Sequence, residues 1–383
     1  MKIVDIQCFP LRTDLSRAIG FSQWYYHAKN NFVLKVVCDD GTVGWGECYG
    51  PNLAIAASIE HHFKPLLIGK DPLQNEVLWN FMWRAYCDFN RYGIFMAAIS
   101  GIDIALWDIK GKALNTPVRV LLGGSSKPLP CYATGMYYRD DKPEAEMLAE
   151  LIDEAASYVD AGYTFLKVKV GKNLEFDKDL IAQFRNRFPK IKIAADSNHA
   201  YNYKEAVAIG KVLEANDYCW FEEPLSPENY ADMARLRKVL SVPIAAGECE
   251  QTRYGFERLA SARSLDIFQP DIAYCGGITE FQKINALASA AHADVVPHCW
   301  GLKINQAAAA SAISMVPENP GRFERRPVFL EVDQTEHPIR DTIFSTAHDV
   351  IDGKLHFNDL PGLGVIIDES AMEPFVIDPK VKD

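Results

Sequence analysis

The chain has 383 residues, 48% of them hydrophobic and 24% charged, with a formal net charge of −11. That length exceeds one average domain and suits a barrel of ~250 residues with a smaller companion; the acidic balance speaks against nucleic acid, whose phosphates demand a basic surface. No apolar run approaches the ~18 residues of a membrane span, and the nine cysteines, odd in number and without a Cys-x-x-Cys pair, read as free thiols in a reducing cytoplasm, with no signal peptide ahead of the first strand.

In chain order, Val4–Pro10 and Phe32–Cys38 alternate as strands. Asp39-Asp40-Gly41-Thr42 turns the second into a third, Val43-Gly44-Trp45-Gly46-Glu47. This Gly-x-Gly-Glu run is no phosphate loop, because neither a helix nor a Lys-Ser/Thr pair follows it. Trp24, Tyr25, Tyr26 and His27, with Tyr49, are too aromatic for an idle loop and read as a lid or a core edge. Ala97–Leu114 reads as a helix, and Pro117 with Gly123-Gly124-Ser125-Ser126 closes an α+β unit over residues 1–127.

From Leu129 a βα rhythm begins. After a first strand at Cys131–Thr134, a helix over Glu144–Asp160 carries Met147, Leu148, Leu151, Ile152, Ala155 and Val159 on one face. Seven short apolar runs then end in Lys169, Asp196, Glu222, Glu248, Asp271, His298 and Glu331, the first four spaced 27, 26 and 26 residues apart. Each step suits one strand plus one crossover helix. Eight strands over residues 128–332 predict a parallel α/β barrel of the TIM type, whose C-terminal rim gathers catalytic side chains. The remainder, 333–383, reads as turns and short strands without a helix, packing back on the first unit.

The rim residues define a chemistry. Lys167 and Lys169 share a strand face, and two adjacent ammonium groups lower each other's pKa toward a usable base. Singly, Asp196, Glu222 and Glu248 fit helix starts equally well. Three in register repel unless a cation sits between them, and oxygen ligands select a hard ion, here one magnesium, with Asn198 as a further or supporting ligand. Asp271 and His298 end neighbouring strands, so the carboxylate can orient the ring and raise its basicity. Glu331 can hydrogen-bond substrate or act as an acid if burial raises its pKa. Cys249 and Cys299 flank Glu248 and His298, but their spacing fits no zinc site and they read as packed thiols. Together these groups suit removal of a proton next to a carboxylate, with a base on either side of the substrate.

At Lys167-x-Lys169, Asp196, Glu222, Glu248, Asp271, His298 and Glu331, the chain resembles the enolase superfamily, mandelate racemase subgroup, over essentially its whole length. Gly44-Trp45-Gly46-Glu47, Leu106–Lys112 and Pro361-Gly362-Leu363-Gly364 are also of the family's kind. The resemblance implies a modified (β/α)7β barrel under an N-terminal α+β capping domain completed by the C-terminal segment, and assembly as a dimer or octamer. Asp stands at 271, where a lysine would point to dipeptide epimerases or muconate cycloisomerases; within the subgroup the chain resembles the sugar-acid enzymes, most closely galactarolactone cycloisomerases and acid-sugar dehydratases. Trp24, Tyr25, His27, Tyr49, Asn198, His199 and Trp300, with Asn52 and Tyr201 beside them, supply faces and hydrogen bonds for a polyhydroxylated anion. The implied reaction is β-elimination on an aldarate, aldonate or lactone. A racemase or epimerase of a 2-hydroxy acid and a non-catalytic barrel scaffold are the competing readings.

Overall fold

The computed structural model describes residues 1–89, 91–316 and 328–377. Residues 317–327 of the expected barrel and 378–383 of the expected C-terminal segment lie outside the described residues.

Three antiparallel strands begin the chain: β1 (Ile3–Gly20), β2 (Tyr25–Cys38) and β3 (Val43–Cys48). The first two are far longer than the hydrophobic alternation suggested. Their register continues from Pro10↔Phe32 to Asp14↔Ala28, and resumes after an irregularity at Ile19↔Tyr26. Beyond Pro10 the apolar alternation breaks at Arg12, Thr13 and Asp14, although Leu11, Ile19, Ala28 and Lys29 are buried. Helices α1 (Asn52–Ser58), α2 (Lys64–Leu67), α3 (Asn75–Tyr86), α4 (Ile94–Ala113) and α5 (Val118–Leu121) follow. Phe32, Leu34 and Val36 pack one sheet face against Ile102, Ala105 and Ile109 of α4. The approach is close: a Cβ on Gly46 would stand 1.9 Å from the Gly101 carbonyl oxygen, which explains the glycines of the Gly-Trp-Gly-Glu run.

The barrel alternates β4 (Leu129–Thr134), α6 (Glu144–Asp160), β5 (Phe165–Lys169), α7 (Leu174–Arg187), β6 (Lys192–Asp196) and α8 (Tyr203–Ala215). It continues with β7 (Phe221–Glu222), α9 (Tyr230–Val239), β8 (Ile244–Ala246), α10 (Thr252–Ala262), β9 (Ile267–Phe268) and α11 (Gly277–Ala290). It ends with β10 (Asp294–Val295), α12 (Lys303–Ile313) and β11 (Leu330–Asp333). The strands pair in parallel from β4 through β10, and β11 returns to β4. This is the (β/α)7β barrel. Three strands stop short of the predicted endings at Glu248, Asp271 and His298. Gly247 turns at φ 133, and Pro270 and Pro297 have no N–H to give a ladder.

A layer of Tyr132, Phe165, Ala194, Trp220, Ala245, Ile267, Val296 and Phe329, one residue from each strand or its edge, fills the barrel axis. The barrel is therefore plugged rather than a pore. Side chains alternate across a strand, so the next inward position lies two residues on. That step gives Thr134, Lys167, Asp196, Glu222, Gly247, Gln269, His298 and Glu331. One apolar layer thus carries a charged one directly above it.

The tail contains the short helices α13 (Pro338–Thr342) and α14 (Glu369–Met372), against the expectation of none. Each is seeded by a cap: His337 accepts from Arg340 N, and Asp368 from Ser370 N and Ala371 N. Between them, β12 (Phe344–Thr346) pairs with β15 (Ile366–Ile367), while β13 (Asp349–Ile351) and β14 (Lys354–His356) form a hairpin beside β4. Val376 bridges Leu11, and Leu363 N donates to Asp108 of α4 at 2.9 Å.

Candidate active site

Parallel register sets the site's floor. Lys169 faces Asp196 and Asp196 faces Glu222 across successive ladders. Ligand oxygens of Asp196, Glu222 and Glu248 come within 4.8 Å of one another. Glu222 is buried, and burial with its acidic neighbours pushes its carboxyl up to about 7 against the pull of Lys167. Trp220 Nε1 and Gln269 Nε2 each donate to Glu222 Oε2 at 2.8 Å, fixing the carboxylate's orientation. Crowded, hydrogen-bonded carboxylates of this kind fit a hard divalent cation.

Lys167 Nζ lies 2.7 Å from Glu222 Oε1 and 2.9 Å from Glu331 Oε1, and Lys169 Nζ lies 2.6 Å from Asp196 Oδ2. The expected mutual lowering of the two lysine pKa values is reversed. Burial opposes both charges, but Glu222 and Glu331 hold Lys167 well above its ordinary value, and Asp196 holds Lys169 above its own. Carboxylates outnumber ammonium groups here, so attraction exceeds the lysines' repulsion. Glu331 also departs from the acid role suggested for it. Burial raises its pKa, yet Lys167 and His298 pull it below the usual carboxylate range. Its oxygens are occupied by Lys167, Thr134 Oγ1 and Cys299 N.

Asp271 Oδ2 sits 2.6 Å from His298 Nδ1, leaving Nε2 aimed inward, 3.4 Å from Glu248. Burial opposes the ring's charge, but Glu248, Glu331 and the Asp271 bond carry its pKa up to about 10. Asp271 is itself held by Ala273 N and by Asn305 Nδ2 at 3.2 Å. Asn305 lies in the first turn of α12, and its amide and that of Leu302, the residue before the helix, donate to Glu47 at 2.9 and 2.7 Å. The last residue of the Gly-Trp-Gly-Glu run thereby reaches from β3 to the helix that steadies the His–Asp pair. In strand order β5 and β10 fall on opposite arcs of the barrel, so Lys169 and His298 flank the carboxylates from two sides.

The β1–β2 hairpin covers this floor. Ser22 Oγ and Gln23 Nε2 donate to the Asn198 carbonyl at 3.0 and 2.7 Å, and Gly20 and Tyr138 exchange backbone bonds. Tyr26 packs on Trp300 with ring centroids 5.3 Å apart, and Lys29 Nζ lies 3.8 Å from the Trp300 ring centroid. Tyr49 meets His298 edge-on at 5.7 Å.

The predicted rim set divides. Tyr49, Asn198 and Trp300 stand at the charged layer or its cover. Asn198 Oδ1 accepts from Lys169 at 2.9 Å, so it orients the lysine rather than joining the three-carboxylate cluster. Trp24 packs on Phe21 and Tyr26 but stays 55% exposed, Tyr25 is half-buried, and His27 is exposed at the hairpin end. Asn52 spends its amide on the Leu11 carbonyl inside the cap, and Tyr201 its hydroxyl on Asp177, so neither faces the rim. His199 turns away to Glu223 and Cys249. Asn198, His199 and Glu223 hold positive φ values of 42, 66 and 45. Trp220 and Gln269, two residues before Glu222 and Asp271, and Thr134, two after Tyr132 of the apolar layer, join the site without having been predicted there.

Residues 150–371 match the enolase C-terminal domain-like family, and residues 14–123 the mandelate racemase / muconate lactonizing enzyme N-terminal domain. The chain is 35% identical over 377 residues to D-galactarolactone cycloisomerase of Agrobacterium fabrum, covering 98% of this chain and 99% of that one. It is 35% identical to arabinonate dehydratase of Saccharolobus solfataricus, covering 96% of each. The solved 3,6-anhydro-D-galactonate cycloisomerase of Zobellia galactanivorans superposes with a TM-score of 0.89 at 39% identity, over 99% of this chain and 100% of that one. A racemase of Streptomyces coelicolor, solved with bound magnesium, superposes at 0.87 with 26% identity, over 98% and 100%.

Proposed function

Because the chain belongs to the mandelate racemase / muconate lactonizing enzyme family of the enolase superfamily, we propose that it removes the proton next to the carboxylate of a sugar acid or its lactone and then expels a β leaving group. The observation that carries this reading is the pair of proton-transfer groups, Lys169 and the Asp271-held His298, flanking three convergent carboxylates.

Asp196, Glu222 and Glu248 would hold one magnesium ion, which supplies positive charge to the substrate carboxylate. Lys167, pinned by Glu222 and Glu331, adds a fixed ammonium where negative charge develops. His298 presents Nε2 to the substrate because Asp271 occupies Nδ1, so one ring position exchanges the proton. Lys169, steadied by Asn198, works from the other side. Whichever of the two is in its free-base form takes the α-proton, and the other, protonated, gives its proton to the leaving oxygen. That oxygen is hydroxide in a dehydration and a ring oxygen in a cycloisomerisation. Tyr26, Tyr49 and Trp300 cover the floor with faces that suit a sugar's C–H surface. The names of the relatives support this substrate class. Nine unpaired cysteines support a cytoplasmic setting, and the family supports a homo-oligomer.

The test is proton NMR in deuterated water of aldonates, aldarates and their lactones with magnesium and the enzyme. The expected result is loss of the α-proton signal together with an eliminated product. Deuterium uptake without elimination supports the racemase or epimerase reading, in which the same two groups serve opposite faces. Absence of exchange across the panel leaves the scaffold reading.

A further inference from the structure

One step outward from the three-carboxylate centre, the same three loops present a second set of donors. Glu223 follows Glu222, Cys249 follows Glu248, and His199 lies three residues beyond Asp196. His199 Nε2 stands 3.1 Å from Glu223 Oε2 and 3.6 Å from Cys249 Sγ, and the three donor atoms all lie within 4.8 Å of one another. We propose that His199, Glu223 and Cys249 form a second metal site, separate from the carboxylate centre and suited to a divalent ion of the zinc class.

Three lines of geometry support it. First, zinc bonds of about 2.0–2.1 Å to nitrogen or oxygen and 2.3 Å to sulfur, set at tetrahedral angles, place nitrogen about 3.3 Å from oxygen and about 3.6 Å from sulfur. The His199 distances come close to both. Second, His199 Nδ1 lies 3.1 Å from the Leu225 carbonyl oxygen, which can only accept. Nδ1 is therefore the donor in that bond, which turns Nε2 toward the Glu223 carboxyl and the Cys249 sulfur. Such a ring, oriented by a backbone carbonyl, is how metal-ligating histidines are held. Third, Glu223 is 2% exposed, so its carboxyl oxygen is turned to His199 rather than to solvent.

The set is mixed nitrogen, oxygen and sulfur, whereas the inner centre is all oxygen. Ligand softness directs a thiophilic ion outward and leaves magnesium inside. The donor set opens on a cavity of about 210 Å³, also lined by Tyr230, Glu250 and Tyr274, which leaves a fourth position to water. The ion would clip together the loops after β6, β7 and β8, the loops adjoining Asp196, Glu222 and Glu248. Spacing alone hid this site, because its ligands come from three separate loops.

The test uses purified full-length protein, stripped by chelation and held in saturating magnesium, titrated with cobalt(II). The expected result is a thiolate-to-cobalt charge-transfer band that saturates at one equivalent, is displaced by zinc, and survives the magnesium excess. The band should vanish in Cys249→Ser and persist in Cys87→Ser. Zinc should also raise the thermal midpoint of the wild type more than that of Cys249→Ser. No band in the wild type, or an undiminished band in Cys249→Ser, overturns the site and leaves a shared proton between His199 and Glu223. Neither result depends on turnover, so the fate of the sugar-acid reading is separate.

Discussion

The floor and the cover of the barrel mouth are built on different principles. The floor is a layer of mostly buried charges, most of them held by two or more partners, with Lys169, Asp196 and Glu222 aligned by strand register. The cover is a long hairpin that rests on the floor through side-chain bonds to the Asn198 carbonyl, one buried Lys29–Asp333 pair and aromatic faces. A charged group buried among partners cannot shift without leaving another unpaired, which fixes one chemistry. An aromatic face tolerates rearrangement, so the cover is where substrates are told apart. Floor variants should therefore lower kcat, and cover variants should raise KM.

The largest effect belongs to the carboxylates. Asp196→Asn or Glu222→Gln should lose magnesium binding and reduce kcat/KM by ~10³-fold or more; metal analysis and assay of the same preparation check both halves. Next come the proton-transfer groups. Lys169→Ala and His298→Asn should each lower kcat by ~10²–10⁴-fold while magnesium still binds. Near wild-type turnover in either would remove that residue from the chemistry. Glu47→Gln probes where cover and floor meet. Its effect passes through α12 and Asn305 to Asp271, so kcat should fall ~10-fold with KM little changed. A KM rise instead would assign Glu47 to the cover. Trp300→Ala or Tyr26→Ala should raise KM ~5-fold and leave kcat near its starting value, the loss expected from one aromatic contact.

The last prediction leaves turnover at neutral pH untouched. His337 and His348 are buried, chiefly by which their pKa values fall to about 3 and about 4, helped by Lys29 and Arg340 beside His337 and by Arg119 beside His348. Both values lie below the unfolded value of about 6.5. Their contribution to stability is thus present above about pH 6.5 and is lost as pH falls toward 4 and then 3. By linkage the loss at pH 4 is roughly 3 kcal/mol per histidine. Lys29 belongs to the covering hairpin, so acid should loosen the cover. A thermal midpoint that falls as steeply in His337→Gln as in the wild type would clear this residue.

Floor and cover also differ in how legible they are. The helix over Glu144–Asp160 and the strand endings at Lys169, Asp196 and Glu222 follow from hydrophobic period, and the charged layer follows from the apolar one by a step of two residues. Gln269 and Thr134 obey that step, but a neutral side chain draws no notice without its charged partner. The hairpin runs past the predicted strands because Arg12, Thr13 and Asp14 break the apolar alternation that marks a strand in sequence. Cys249 looked inert because spacing along one chain segment says nothing about three loops meeting in space. The lysine pKa direction failed for a related reason: adjacency in sequence shows Lys167 beside Lys169, but not the ring of carboxylates around both.

The left-handed backbone at Asn198, His199 and Glu223 has a consequence for how this protein can evolve. Each such conformation costs a side-chain-bearing residue of order 1 kcal/mol, which glycine would recover. A lineage selected only for durability would drift toward glycine at these positions and gain heat resistance. It would lose the amide that steadies Lys169 and the ligands on the outer face of the mouth. Positions 198, 199 and 223 are therefore ones that a thermostabilising library should hold constant.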